Sequence, residues 1–267
     1  MNSHLTLLLC AVSLVQSPTS QGDLINVPLT DLTGKGTPFL ASGTALLRET
    51  VRGNQLEWSW GQRLSVKNIS GKPVLLLVAA LTERGRHPTD GHAAPGDGPT
   101  YRFEKDRFFD ESLIEPEETV ILRDTEPGVP QAECCVNPLE GNRSPAAEYR
   151  LQFVQFSDGS TFGDASEAKD DFEMRDVILR NLRRLLRVYA DGGEAGLATR
   201  LKELQSYMID PNLAPKTEGQ PPFFATSICS QILTKYNRAG AEAALAEAKK
   251  ILGTAEKHAA MIEADRR

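Results

Sequence analysis

The chain has 267 residues, with 30 lysines and arginines against 36 aspartates and glutamates, and a formal net charge of -6. Hydrophobic residues make up 40% and charged residues 25%, which excludes collagen-like, fully disordered and multi-span membrane proteins. An acidic chain is also a poor candidate for nucleic-acid binding, since proteins of that class usually carry a basic surface. The length suits one large domain or two small ones with a buried core.

Residues 1–22 have the pattern of a secretory signal peptide. The apolar run from Leu5 to Val15 is too short to span a bilayer and precedes a small polar stretch that ends at Gly22. We therefore expect cleavage before Asp23, and a secreted or periplasmic protein with no transmembrane segment in the mature chain. A lipoprotein anchored at Cys10 and a buried N-terminal element are the less favoured alternatives.

Residues 40–163 have the pattern of β-strands. One face of the segment 56–66 is apolar, and Val74 to Leu81 is a continuous apolar run, as expected of strands in a packed core. The Asp-Gly pair within residues 157–160 predicts a tight hairpin whose two central residues need positive φ. About seven strands are predicted in all, a number typical of an Ig-like antiparallel β-sandwich.

From Ala165 onward the apolar residues recur with the spacing of an α-helix. Acidic residues begin the first helix and arginines end it, in keeping with the helix dipole, and Asp191-Gly192-Gly193 stops it. Three further helices are predicted at residues 194–208, 223–236 and 241–265.

The loop at residues 85–99 is one candidate for a site. His87, Asp90 and His92 carry nitrogen and oxygen atoms that can bind zinc. Their spacing matches no metal motif, so the favoured interpretation is a solvated loop.

A second candidate is the segment 111–118. Glu115, Glu117 and Glu118 cluster at a turn, and paired carboxylates can act as acid and base on glycosides. Acids that flank a turn proline are usually solvated, and that interpretation is favoured here.

A third candidate is a basic helix. Arginines stand at positions 175, 180, 183, 184 and 187, where they could meet phosphates or an acidic partner. The favoured interpretation is a solvated face whose arginines pair with nearby acids.

Aromatic residues give a fourth candidate. Trp58 and Trp60 share one strand face, and Phe153 and Phe156 lie on a later strand. If exposed, they would suit sugar or peptide binding, but the favoured interpretation places them in the core.

Established catalytic motifs are absent from the sequence. It contains no Gly-x-Ser-x-Gly, Walker-type or His-Glu-x-x-His run, so no catalytic, cofactor-binding or metal-binding residue is predicted. Asn68 and Asn142 begin N-glycosylation sequons, which matter only in a host that glycosylates.

Three cysteines, Cys134, Cys135 and Cys229, remain once the signal peptide is removed. The favoured interpretation is that all three stay reduced, with Cys229 as a small core residue. A bridge from Cys134 or Cys135 to Cys229, and a Cys134–Cys135 vicinal bridge, stay open as alternatives.

Two turns carry a resemblance to known proteins. Leu64 to Val74, with its Asn-x-Ser-x-Lys-Pro corner, resembles bacterial extracytoplasmic Ig-like domains. Phe156 to Asp164 is similar to the end of the same sandwich in uncharacterised secreted proteins of soil bacteria, where a hairpin precedes a helical tail. The resemblance covers residues 40–164 and implies a fold and an exported location, with no site residues.

We therefore predict an α+β protein: a signal peptide over residues 1–22, an Ig-like β-sandwich over 23–164, and a helical segment of about four helices over 165–267. The expected function is that of an exported, non-enzymatic interaction or structural module with no cofactor, whose partner is another envelope or extracellular protein. The alternative is an extracytoplasmic hydrolase with a carboxylate or metal centre in the 85–99 and 111–118 loops.

Overall fold

The computed structural model describes residues 23–52, 55–84, 100–127, 131–132, 145–215 and 222–264. The expected signal peptide, residues 1–22, lies outside them. The described residues form a β-sheet followed by two long helices. The strands are β1 (Asp23–Asp31), β2 (Phe39–Arg52), β3 (Gln55–Asn68), β4 (Val74–Arg84), β5 (Thr100–Asp106), β6 (Thr119–Thr125), β7 (Gln131–Ala132), β8 (Ala146–Phe156) and β9 (Thr161–Gly163).

The sheet is mixed and curls into a nearly closed barrel. Its strand order is β5-β4-β8-β1-β2-β3-β6, with β7 beside β3 and β9 beside β8. β1 joins the two halves of the sheet, β5-β4-β8 and β2-β3-β6. Residues 23–28 pair antiparallel with β2, and residues 29–31 pair parallel with β8. The two edge strands, β5 and β6, approach each other without being hydrogen-bonded neighbours, so a seam runs between them.

Apolar side chains from both halves of the sheet line the inside of the barrel. Val27 of β1, Leu47 of β2, Val66 of β3 and Tyr149 of β8 belong to one buried cluster. The interior face of β4 continues it with Leu77, Ala79 and Leu81. A closed sheet of this size encloses a volume that side chains can fill.

β4 is apolar throughout because both of its faces are buried. Leu75 on its outer face packs with Phe108 and Ala255, and Leu76 and Val78 pack with Phe153 and Ala168. The helices thus cover the outer face of β4 and β8.

The close approach of β2 and β3 depends on a glycine. Gly43 has φ of 146°, and a Cβ atom there would lie 1.9 Å from the Arg63 carbonyl oxygen. Any larger residue would separate the two strands at this point.

The two helices are α1 (Lys169–Ile209) and α2 (Ser227–Ala264). Each is sharply kinked at one glycine: Gly193 has φ of 60° and ψ of -154°, and Gly240 has φ of 85° and ψ of -176°. Only glycine adopts these angles readily. The helices pack on each other through a second buried cluster that includes Leu182, Leu201 and Leu245.

Two crossed ion pairs dock α1 on the sheet. Arg175 of α1 donates two hydrogen bonds to the Asp106 carboxylate of β5, from Nε at 2.8 Å and from Nη2 at 2.7 Å. In the opposite sense, Arg102 of β5 reaches Asp171 of α1 at 2.6 Å. The pair of hydrogen bonds from Arg175 fixes the orientation of α1 as well as its distance from the sheet.

The predicted Ig-like sandwich with about four helices is wrong: the described residues form one curled mixed sheet and two long α-helices. Alternation shows which residues face a core but does not show which strands pair. β1 also lies before residue 40, where the predicted strands begin, so it was not predicted at all. The helix count is wrong because α1 and α2 each continue through a kink, at Gly193 and Gly240, near the predicted breaks.

The hairpin predicted from Asp158-Gly159 connects β8 to β9, but its detailed geometry differs. Only Gly159 has positive φ, because the turn contains four residues and Asp158 accepts hydrogen bonds from the Ser160 amide and hydroxyl. Hydrogen bonds from Lys72 and Ser160 lower the pKa of Asp158 to about 2.

Candidate functional site

The arginine face of α1 is the more exposed of two candidate sites. It consists of Arg180, Arg183, Arg184 and Arg187, all exposed. The spacing of three and four residues puts these side chains on one side of a helix. Residues between them, including Leu182 and Leu185, are buried on the opposite side against α2, so packing fixes the direction in which the arginines point.

The arginine face borders a concavity of about 460 Å³, also lined by Val188 and Asp191. Arg183 Nη2 lies 3.7 Å from Glu256 Oε1, and both side chains are more than half exposed. Within the described part of the chain, Arg180 and Arg187 form no ion pair. The face therefore carries positive charge that its surroundings neutralise only in part.

A second candidate lies inside the barrel. The interior polar cluster consists of Glu83 of β4, with Gln62 of β3 and Tyr101 of β5, which both contact it, together with Tyr149 of β8, which strand pairing places diagonally across from Glu83. Gln62 Nε2 donates to Glu83 Oε1 at 2.7 Å across the barrel, and the Tyr101 side chain also interacts with this carboxyl group.

Burial dominates the electrostatics of this cluster. Burial raises the pKa of Glu83 from 4.5 to about 7, and the contacts with Gln62 and Tyr101 offset only part of that rise. Burial also raises the pKa of Tyr149, with a smaller contribution from the charge of Asp31. Glu83 is thus close to half-protonated near neutral pH.

The segment 111–118 does not form a carboxylate pair. Glu118 accepts from the Glu115 backbone amide at 2.8 Å and closes the turn, while Glu117 pairs with Lys67 and Glu111 pairs with Lys250. These carboxylates have ordinary surface roles. His87, Asp90 and His92, with the whole 85–99 loop, lie outside the described residues.

The aromatic candidates are largely internal. Phe153 and Phe156 are buried, and Trp60 packs against the barrel core. The side chain of Trp58 lies outside what the structure describes.

Asn68, the start of one glycosylation sequon, is a structural residue. It is completely buried, and its Nδ2 donates to the carbonyl oxygens of Lys72 at 2.8 Å and Ile114 at 3.0 Å. A glycan would have to attach at this same nitrogen. Asn142 lies outside the described residues.

Cys229 is buried on α2 beside Ile228 and Ile232. Its predicted redox state stays a prediction, because Cys134 and Cys135 lie outside the described residues.

The described residues lack two features that would indicate a membrane or metal role. No helix among them is both long and apolar enough to cross a bilayer. No group of three or more histidine, cysteine, aspartate or glutamate side chains is arranged there to hold a metal ion.

Comparisons with protein-family models, curated proteins and solved structures found no match for the chain.

Sequence reasoning placed five arginines on one basic helix face. Four of them form the arginine face, but Arg175 is buried and pairs with Asp106.

The interior polar cluster was not predicted. A signal for it existed, since Glu83 has the same strand parity as the buried residues Leu77, Ala79 and Leu81. An acid at the end of an interior-facing row is unusual, but parity alone does not reveal Gln62, because β3 precedes β4 in the chain and yet is not its neighbour in the sheet.

Proposed function

We propose that the chain is an exported, non-enzymatic interaction module that binds an acidic segment of another envelope or extracellular protein. The observation that carries the proposal is the row of four exposed arginines along one face of α1, beside the concavity lined by Val188 and Asp191. Guanidinium groups pair with carboxylates through two parallel hydrogen bonds, which suits recognition of glutamate and aspartate side chains.

The charge distribution favours a local partner over an extended polyanion. The whole chain carries a net charge of -6, so an extended polyanion such as a nucleic acid or an anionic membrane would also lie against acidic parts of the surface. At physiological salt, charges are screened beyond about 8 Å, so a short acidic segment would respond chiefly to the arginine face. We therefore favour an acidic protein segment.

The arginine face has a cost for the isolated helix. Its four members form four like-charged pairs at spacings of three or four residues, and each such pair destabilises a helix by roughly 0.2–0.5 kcal/mol. An acidic partner would relieve the part of this repulsion that contacts such as that of Arg183 with Glu256 do not compensate.

Export is supported by the apolar run from Leu5 to Val15 and the small polar residues that follow it. N-terminal sequencing of exported protein should find Asp23 at or close to the start. Intact Met1 on protein retained inside the cell would contradict this part of the proposal. No observation on the described residues favours the hydrolase alternative, so it is not proposed.

The binding test uses the full chain and a fluorescein-labelled peptide of about eight glutamates spaced by glycines. The variant is Arg180→Gln/Arg187→Gln, and the matched control is Arg238→Gln/Lys249→Gln, at two exposed positions on α2. Each double variant removes two positive charges. Because an exposed ion pair contributes about 0.5 kcal/mol, we expect the arginine variant to bind the peptide about fivefold more weakly than wild type, while the control binds normally.

Fluorescence anisotropy at two salt concentrations completes the test. Binding should weaken as salt rises, and a peptide with glutamine in place of glutamate should not bind. Equal affinity of the two double variants would contradict the proposal. Tighter binding to phosphatidylglycerol vesicles or to single-stranded DNA than to the peptide would replace it with a membrane or nucleic-acid role.

A further inference from the structure

Two polar atoms inside the barrel have no partner among the described residues: Glu83 Oε2 and the Tyr149 hydroxyl oxygen. Glu83 is 0% exposed and Tyr149 is 1% exposed. Leaving such an atom unpaired costs about 1–3 kcal/mol, and more if the group is charged. Each of the two atoms is therefore a point at which a hydrogen-bond donor would be stabilising.

Strand pairing places these two groups on neighbouring strands of the same lumen. Leu81 of β4 pairs with Tyr101 on β5 and with Tyr149 on β8, and Leu81 and Tyr149 both belong to the interior core. Glu83 lies two residues after Leu81, so its side chain leaves the same face of β4. Diagonal neighbours on adjacent strands are within reach of side chains as long as these.

We propose that the interior polar cluster binds the ammonium group of a small primary amine, with Glu83 Oε2 and the Tyr149 hydroxyl accepting its N–H groups. Gln62 holds the other carboxylate oxygen, Oε1, at 2.7 Å, which leaves Oε2 as the oxygen available to the ligand. The site is separate from the arginine face and does not rest on the function proposed for it.

The residues around the cluster restrict the class of ligand. A divalent metal ion needs several oxygen ligands, so a single carboxylate is too few to bind one. The negative charge of the carboxylate also repels anionic ligands. An ammonium ion matches a single buried carboxylate and a hydroxyl acceptor. The neighbouring walls, Leu81, Phe103 and Ala147, are buried and apolar, and they suit the hydrocarbon part of an amine.

Tyr101 gives the cluster its contact with the surface. It is half-buried on the edge strand β5, while Gln62, Glu83 and Tyr149 are all buried. Arg123 of β6 is close enough to lower the pKa of Tyr101, although burial and the charge of Glu83 raise it overall. Since β5 and β6 border the seam, a ligand would enter beside Tyr101.

The test is a calorimetric or NMR titration of the full chain with ammonium, methylamine and n-butylamine. Methanol and 1-butanol serve as uncharged counterparts of similar shape. At pH 8 we expect at least one amine to bind at least tenfold more tightly than its alcohol. Lowering the pH to 6 should weaken amine binding about tenfold, because the ionised fraction of a carboxyl with a pKa of about 7 falls from about nine-tenths to about one-tenth.

Variants locate the site. Glu83→Gln should abolish both the preference for amine over alcohol and the pH dependence. Tyr149→Phe should weaken binding about fivefold and leave the pH dependence in place. The matched control is Asp124→Asn, a strongly exposed acid near the end of β6, which should bind amines like wild type.

Several outcomes would overturn the inference. Absence of binding by all three amines at about 100 mM would mean that water alone serves the two acceptors. Equal binding of amine and alcohol, or unchanged amine binding in a folded Glu83→Gln protein, would mean that Glu83 does not recognise the charge. Melting temperatures and the Asp124→Asn control separate these outcomes from loss of fold.

Discussion

Glu83 links the stability of the barrel to pH. Its pKa rises from 4.5 to about 7 in the folded protein because burial penalises the carboxylate. Between these two pH values the folded chain holds a proton that the unfolded chain has lost. The contribution of Glu83 to the free energy of unfolding therefore falls by at most about 3 kcal/mol as the pH rises from 4.5 to 7. Above pH 7 this contribution stays constant.

Replacing Glu83 by glutamine should remove this pH dependence. Above pH 7 we expect Glu83→Gln to be more stable than wild type by up to about 3 kcal/mol, while near pH 4.5 the two should be nearly equal. Urea denaturation at pH 4.5 and pH 8, without added amines, measures the difference. The same stability gap at both pH values would contradict the assignment of a raised pKa to Glu83, and Asp124→Asn controls for general charge effects.

The two candidate sites show what sequence reasoning about single residues can and cannot predict. The spacing of positions 180, 183, 184 and 187 is visible in the sequence, so this candidate could be predicted from the residues alone. The interior polar cluster could not, because Gln62 and Glu83 meet across the barrel only after β3 and β4 have found non-adjacent places in the sheet.

At the scale of elements, local signals located strands after residue 40 but did not predict β1, and they did not show how the strands pair. The apolar run from Val74 to Leu81 predicts a buried strand, and β4 is buried on both faces. The sandwich prediction failed at β1, where the pairing of Leu29 with Ala147 joins residues far apart in sequence. Such a contact depends on global topology, which periodicity does not encode.

The kink in α2 gives a test at this scale. Gly240 has φ of 85° and ψ of -176°, a conformation that alanine adopts only with strain of about 1–3 kcal/mol. Gly253 lies in a regular turn of the same helix, and a Cβ atom there would contact nothing within 4 Å. The two glycines are therefore a matched pair.

Alanine at the two positions should have opposite effects. We expect Gly240→Ala to destabilise the protein by about 1–3 kcal/mol, and Gly253→Ala to stabilise it by about 0.5–1 kcal/mol because alanine loses less backbone entropy in a helix. Thermal denaturation of both variants measures the difference. A stabilising Gly240→Ala would show that α2 can straighten through residue 240 without cost.

At the scale of the whole molecule, the contacts of α1 make the sheet and the helices one cooperative unit. Arg175 is 5% exposed; it binds Asp106 and Gln155 and stacks on Phe108 with 4.5 Å from its guanidinium carbon to the ring centroid. A further link comes from α2, where His258 Nδ1 lies 3.0 Å from the Phe108 carbonyl oxygen. The sheet and the helices should therefore unfold together.

The two tryptophans make this cooperativity measurable. Both lie in β3, at positions 58 and 60, so their fluorescence reports on the barrel, while circular dichroism at 222 nm reports mainly on α1 and α2. In wild type the two signals should change in one coincident transition during urea denaturation.

Removing Arg175 should lower stability and separate the two signals. Arg175→Met leaves the Asp106 carboxylate without its two-pronged partner, and loss of one member of a buried ion pair costs about 3–5 kcal/mol. We expect the helical signal to be lost at lower urea than the tryptophan signal, and proteases to gain access to residues 163–170. Arg183→Met is the matched control on the same helix: Arg183 is exposed and lies 3.7 Å from Glu256, so its loss should cost less than about 1 kcal/mol. Coincident transitions at the wild-type midpoint in Arg175→Met would show that apolar packing alone holds α1 on the sheet, and separate transitions in wild type would show that the two parts fold independently.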